Sequence, residues 1–114
     1  MNTRLVGKFG EDLAVKYLTK HKYKVVGRNF GCSYGEIDII AWDGECIVFI
    51  EVKARKDDRF GLPREAVTYR KQQTIIKCAN YWLYKNKIVD VSVRFDVIEI
   101  LGTHITHLID AFRS

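Results

Sequence analysis

The stretch GEIDIIAWDGECIVFIEVKAR, residues 35–55, sets Glu36 and Asp38 ahead of one apolar run and Glu51 and Lys53 after another. Carboxylates that converge on an apolar platform repel one another and lose hydration, at a cost of roughly several kcal/mol unless a cation neutralises them. Hard divalent ions take carboxylate and carbonyl oxygens, and no Cys or His joins these acids, so Mg2+ or Mn2+ is the ion expected at Asp38 and Glu51. Lys53, two residues beyond Glu51, can orient or deprotonate an attacking water and offset charge on a phosphate in the transition state. Alone, Glu51-Val52-Lys53 is three commonplace residues whose charges at a strand end meet solvent. With an acid ahead of them on the same otherwise apolar face, they form a complete set for phosphodiester hydrolysis.

The elements that must position this set can be read from periodicity. Glu36 to Trp42 and Glu45 to Lys53 alternate as two strands, and Asp43-Gly44 between them is a strong hairpin signal. As a two-residue loop it pairs Trp42 with Glu45, Asp38 with Phe49 and Glu36 with Glu51. Asp38 and Glu51 are then diagonal neighbours with Cα atoms roughly 7–8 Å apart. One hairpin face carries Ile37, Ile39, Ala41, Cys46, Val48, Ile50 and Val52. The other carries Ile40, Trp42, Ile47 and Phe49 near the turn, and Glu36, Asp38, Glu51 and Lys53 at the far end.

Around the hairpin, Leu5, Val6, Phe9, Leu13, Ala14, Tyr17 and Leu18 recur at helical spacing from Thr3 to about Lys20, with Gly7 and Gly10 suited to close backbone approach. Tyr23 to Phe30 reads as a first strand. Ala54 to Pro63 is charged and reads as an exposed loop, and Ile75, Ile76, Ala79, Trp82 and Leu83 mark a second helix that starts between Arg64 and Arg70 and ends near Lys85. Val91, Val93, Phe95 and Val97 give a fourth strand, with a bulge or two covered faces expected near Ile98, and a fifth strand runs from about Ile105 to Phe112. The order is α-β-β-β-α-β-β: one α/β domain over residues 1–114, in which a single core is enclosed.

A net charge of +5 favours polyanionic partners. Arg55, Lys56, Arg59 and Arg64 follow the Glu-x-Lys directly; such a run is ordinarily a solvated loop, but beside a phosphodiester site it would grip the nucleic-acid backbone. Lys71 and Gln72 lie in or near the first turn of the second helix, where free N–H groups favour a phosphate. Glu11 lies at the margin of the apolar arc of the first helix, either as a boundary glutamate or within reach of the site. His104 and His107 point to opposite faces of a strand and read as incidental. Cys32, Cys46 and Cys78 lack the close spacing of zinc or redox motifs and read as free, mostly buried thiols. The opening MNTRLVGKFGEDL is too charged for a signal peptide and no run is apolar enough to span a membrane, so the cytoplasm is the default location.

The chain resembles the YraN-like family of small bacterial proteins, predicted endonucleases of the PD-(D/E)xK superfamily akin to archaeal Holliday-junction resolvases. The likeness rests on Gly7-x-x-Gly10-Glu11-x-x-Ala14, Arg28-Asn29-Phe30, Gly35-Glu36-Ile37-Asp38, Phe49-Ile50-Glu51-Val52-Lys53-x-Arg55, Ala66-Val67 before Lys71, and Arg94-Phe95-Asp96. It implies a restriction-endonuclease-like fold, a central mixed sheet flanked by helices. It implies Asp38 and Glu51 as metal ligands with the Val52 carbonyl as a third, Lys53 as the catalytic lysine, and Glu11 as the helix-one glutamate of the resolvases. The proline that often precedes the aspartate in that superfamily is Ile37 here, and the tyrosine of its Gln-x-x-x-Tyr motif would be Ile76. The expectation is a divalent-metal-dependent DNA endonuclease acting on branched or single-stranded DNA in repair or recombination, working as a homodimer by kinship. The competing reading is a nucleic-acid-binding or scaffolding protein that keeps the fold with little turnover.

Overall fold

Strands whose residues are apolar on both faces need cover on both sides, and two helices provide it here. The computed structural model describes residues 3–55 and 67–114. Its elements are α1 (Thr3–Lys20), β1 (Lys24–Cys32), β2 (Gly35–Asp43), β3 (Cys46–Arg55), α2 (Tyr69–Lys85), β4 (Ser92–Leu101) and β5 (His104–Phe112). The α/β class and the α-β-β-β-α-β-β order read from the sequence hold. The five strands lie in the sheet in chain order, antiparallel except for β3 and β4, which run parallel because the connection between them crosses over through α2. Lys56, Arg59 and Arg64 lie outside the described residues.

Ala14 and Leu18 of α1 pack with Ile39, Ala41, Val48, Ile50, Ile98 and Ile100 on one face. Ile75, Ile76, Cys78 and Ala79 of α2 pack with Ile40, Ile47, Phe49, Phe95 and Val97 on the other. Gly10 allows the close approach of α1, since a Cβ there would collide with the Ala54 side chain. Gly7, grouped with it from the sequence, faces open space, and Phe9, counted with the core stripe, is 54% exposed.

The hairpin register differs from the one expected. Asp43 pairs with Cys46 and Ile39 with Ile50, so the loop is Gly44-Glu45 and the strands are slipped by two residues. Gly44 has φ +60, the conformation that a type II′ turn demands at its first central position. An even slip keeps every side chain on its face but changes its cross-strand neighbour. Ile37 is an exception, packing on the α2 side rather than with Ile39. It lies opposite Phe30, the residue after Asn29, whose φ is +52. The irregularity expected in β4 falls between Phe95 and Val97, where the β4–β5 register shifts.

Two further readings are corrected. Cys32 and Cys78, taken as free thiols, are joined as a disulfide with Cα atoms 6.2 Å apart, and only Cys46 is free among the described cysteines. They stand 46 residues apart in the chain, so spacing gave no sign of it. His107, taken as incidental, has a side chain only 5% exposed and binds Asp96 through Nε2 at 2.6 Å and the Tyr17 hydroxyl through Nδ1 at 3.0 Å. Asp96, fully buried, also accepts from Arg94 Nε at 2.9 Å and from the Asp110 N–H at 2.9 Å. Arg94 extends the cluster to Asp43 and to the Tyr23 hydroxyl. The cluster ties β4 to β5, to the head of β1 and to α1.

Burial works against ionisation of Asp96, but the hydrogen bonds from His107, Arg94 and the Asp110 N–H outweigh it and hold its pKa below the ordinary 3.8. Asp96→Ala leaves Arg94 and His107 without their buried counter-charge, and is expected to cost roughly 3–5 kcal/mol in urea denaturation at neutral pH. A depressed pKa contributes stability that is complete above the ordinary value and lost as pH falls through the folded one. The advantage of the native chain over the variant should therefore narrow below about pH 4.

Candidate active site

The site forms where two strands part. The β2–β3 ladder ends at Ile39 and Ile50, one position before Asp38 and Glu51 come level. There the Asp38 carboxylate accepts the Val52 backbone N–H at 2.8 Å, taking a donor that a continuing ladder would need. Beyond this point β3 stays with β4 as far as Arg55 beside Leu101, while β2 stays with β1 as far as Gly35. A strand residue directs its N–H and C=O to the same side, so the Val52 carbonyl also faces the opening.

Asp38, Glu51 and Lys53 meet at this opening, on the α2 side of the sheet. Asp38 is therefore level with Glu51 rather than diagonal to it, and its carboxyl lies within hydrogen-bonding reach of Glu51. Glu51 is only 5% exposed. Lys53 Nζ stands 3.9 Å from its Oε1, and Lys71 Nζ, from the first turn of α2, stands 3.8 Å from its Oε2. Burial, then the Asp38 hydrogen bond and charge, push the Glu51 pKa from 4.5 up to about 8, against the opposing pull of the two lysines. Glu51 Oε2 is buried and, among the described residues, has no hydrogen-bond donor.

The other sequence-selected residues divide. Lys71 is drawn into the site, with its backbone N–H capped by the Thr68 hydroxyl at 3.2 Å. Gln72 turns its amide to the Val67 carbonyl at 3.4 Å and so braces the start of α2. Arg55 ends β3, with its carbonyl taking the Gly102 N–H at 2.9 Å. Glu36 is exposed beside Gly31. Glu11 Oε1 accepts from Arg28 Nε at 2.9 Å and from Asn29 Nδ2 at 3.0 Å, and Asn29 lies across the β1–β2 ladder from Asp38. Glu11 thus approaches the site through Asn29, on the α1 side. Glu99, singled out for no role in the sequence, is a buried acid in register with Lys53. The parallel pairing that brings it there leaves no local sequence signal.

The donor chemistry suits a hard cation: two carboxylates level with each other, one with a buried oxygen short of donors among the described residues, and a backbone carbonyl facing the same opening. Among the described residues, no group of three or more His, Cys, Asp and Glu side chains converges as a metal cluster. A cation held here would take Asp38, Glu51 and the Val52 carbonyl.

The fold and site define an α/β protein whose five-stranded mixed sheet opens a carboxylate-lysine notch between its second and third strands. Residues 10–100 match the profile of the family described as "Uncharacterised protein family UPF0102", and the chain belongs to that family. It is 47% identical over 116 residues to a UPF0102 protein of Geobacter metallireducens, covering 98% of this chain and 95% of the relative. It is 50% identical over 115 residues to a UPF0102 protein of Clostridium perfringens, covering 95% and 93% respectively. The UPF0102 protein of Caldicellulosiruptor bescii is 50% identical over 101 residues, 88% of this chain and 85% of the relative. The family-level resemblance drawn from the sequence therefore holds. Among the described residues, no helix is long and apolar enough to cross a membrane.

Folded Glu51 keeps its proton to about pH 8, whereas the unfolded carboxyl ionises near 4.5. Stability from such a raised pKa is full below the unfolded value and is lost as pH rises through the folded one. Glu51→Gln removes the ionisation, so its Tm should exceed that of the native chain most clearly above pH 8, by a margin that shrinks toward about pH 5. Thermal denaturation followed by circular dichroism across that range checks it; a gain of the same size at every pH would show that the carboxyl does not titrate as described.

Proposed function

We propose that this chain is a divalent-metal-dependent nuclease that hydrolyses phosphodiester bonds in DNA. The observation that carries the reading is Glu51: a buried carboxylate, level with Asp38, with one oxygen short of donors and a lysine near each oxygen. An acid pair arranged in this way is unfavourable in the free protein, which is the condition a bound cation relieves. Membership of the PD-(D/E)xK nucleases, branched or single-stranded DNA as substrate, and action as a homodimer follow from the resemblance stated above. In the reducing cytoplasm that goes with this reading, Cys32 and Cys78 would be held as thiols.

Asp38, Glu51 and the Val52 carbonyl would hold Mg2+ or Mn2+. When bound, the ion would polarise the phosphate and lower the pKa of water. Asp38 is fixed in place by the Val52 N–H, so its carboxylate is oriented before any ligand arrives. Lys53 is near enough to Glu51 to exchange a proton with a water held between them and the phosphate, and its charge offsets the charge gathering on the phosphate oxygens. Lys71 and the positive N-terminal end of α2 supply a second positive edge to the opening. Glu11 acts through Asn29 and Arg28 as a positioning residue, and Arg55, with Lys56 and Arg64 following in the chain, would steady the DNA backbone.

Cleavage of single-stranded, duplex and branched DNA with Mg2+ or Mn2+, each with an EDTA control, tests the reading. Asp38→Asn retains an acceptor for the Val52 N–H, so it should fold normally, lose cutting and lose any metal-induced rise in Tm. Lys53→Ala should cut roughly 10²–10⁴-fold more slowly while keeping the metal-induced rise. Inactivity of the native chain on all three substrates would instead favour a binding or scaffolding protein with this fold.

A further inference from the structure

The outer face of α2 carries a second pattern that the notch does not use. Over Tyr69–Lys85 the helix has Arg70, Lys71, Lys77 and Lys85 and no acidic residue. Arg70, Lys77, Tyr81 and Tyr84 follow one another at steps of seven, four and three residues, so they share one exposed stripe. The β1–β2 turn closes against this stripe, and Tyr34, Lys77, Asn80, Tyr81 and Tyr84 line a groove of about 410 Å³.

Rings and ammonium groups alternate along it. Lys77 Nζ sits 5.5 Å from the centroid of Tyr34, and Lys85 Nζ sits 6.0 Å from that of Tyr81. Tyr34, Tyr81 and Tyr84 are 56%, 43% and 82% exposed, far more than rings whose role is packing. Tyr81 is steadied from behind by the stacked ring of Phe30, with centroids 6.1 Å apart, and Cys32 meets Cys78 with Cα atoms 6.2 Å apart, which sets the turn bearing Tyr34 against α2 whether the two sulfurs are bonded or reduced.

We propose that this groove binds unpaired nucleotides, with bases stacked on Tyr34, Tyr81 and Tyr84 and the backbone phosphates beside Lys77 and Lys85. The inference rests on the nucleic-acid reading above and names its substrate class: DNA with a single-stranded segment. Duplex bases are already stacked on each other and offer no face to a tyrosine, whereas every unpaired base does. A helix without a single carboxylate suits a polyanion rather than a mixed-charge protein surface. From Lys71 at the notch, Tyr84 lies about 20 Å along the helix axis. A strand lying on α2 can therefore span both.

Fluorescence anisotropy of a labelled oligothymidylate, in EDTA so that nothing is cut, tests this, beside a duplex of equal length. Tyr34→Ala/Tyr84→Ala should weaken single-strand binding about thirtyfold and leave duplex binding and Tm unchanged, while Tyr34→Phe/Tyr84→Phe should retain most of the affinity. Lys77→Gln should reduce the slope of log K against log salt by about 0.7. Undiminished binding by the alanine pair, equal loss on both DNAs, or no binding by the native chain would overturn the groove. So would a dimer that the alanine pair dissociates in sedimentation, since the face would then seat a second copy of the chain. Binding is read without metal, so a protein that never cuts can still pass, and an active nuclease can still fail.

Discussion

A single hydrogen bond shapes the middle of this protein: the Asp38 side chain takes the Val52 N–H that an unbroken sheet would give to a backbone carbonyl. Every buried backbone donor needs a partner, so a side chain that substitutes for a strand also releases that strand. Thus β2 leaves β3 without leaving an unpaired N–H behind. The resulting notch holds Asp38, Glu51 and Lys53 at the junction of a hairpin and a parallel pair. Rigid strands flank it on both sides, so its groups are held by the sheet rather than by a loop.

The two faces of the sheet treat buried acids in opposite ways. Ile50 and Asp96 are neighbours in register, and Glu51 is the next residue on the opposite face. Asp96 is surrounded by donors from Arg94, His107 and the Asp110 backbone, and stays ionised well below the ordinary carboxylate range. Glu51 has two lysines near the limit of ion pairing, an acid beside it and no donor on Oε2 among the described residues, so it keeps a proton to about pH 8. Burial is common to both, and the supply of donors decides the sign. A saturated acid on the α1 face holds strands together; the one on the α2 face keeps a buried oxygen short of a donor among the described residues.

Helix α2 joins these regions. Its inner face fills the core through Ile75, Ile76, Cys78 and Ala79, its first turn brings Lys71 to Glu51, and its outer stripe carries the Lys and Tyr groove. A phosphate at the notch and a strand on the stripe would both draw on the same positive helix, which links the proposed chemistry to the proposed substrate.

The sequence by itself determined the element types, their order and, Ile37 apart, the hairpin residues that share a face, because alternation and helical spacing are local and survive small errors of register. Asp38, Glu51 and Lys53 were legible for that reason: a slip of two residues leaves parity intact. What only the tertiary structure decided were contacts between distant segments. The φ of Gly44 chose Gly44-Glu45 as the turn and set Asp38 level with Glu51. Docking of the β1–β2 turn on α2 joined Cys32 to Cys78, the β4–β5 register brought His107 to Asp96, and parallel pairing brought Glu99 beside Lys53. None of these leaves a periodic trace, since each depends on how two elements far apart in the chain come to rest against a third.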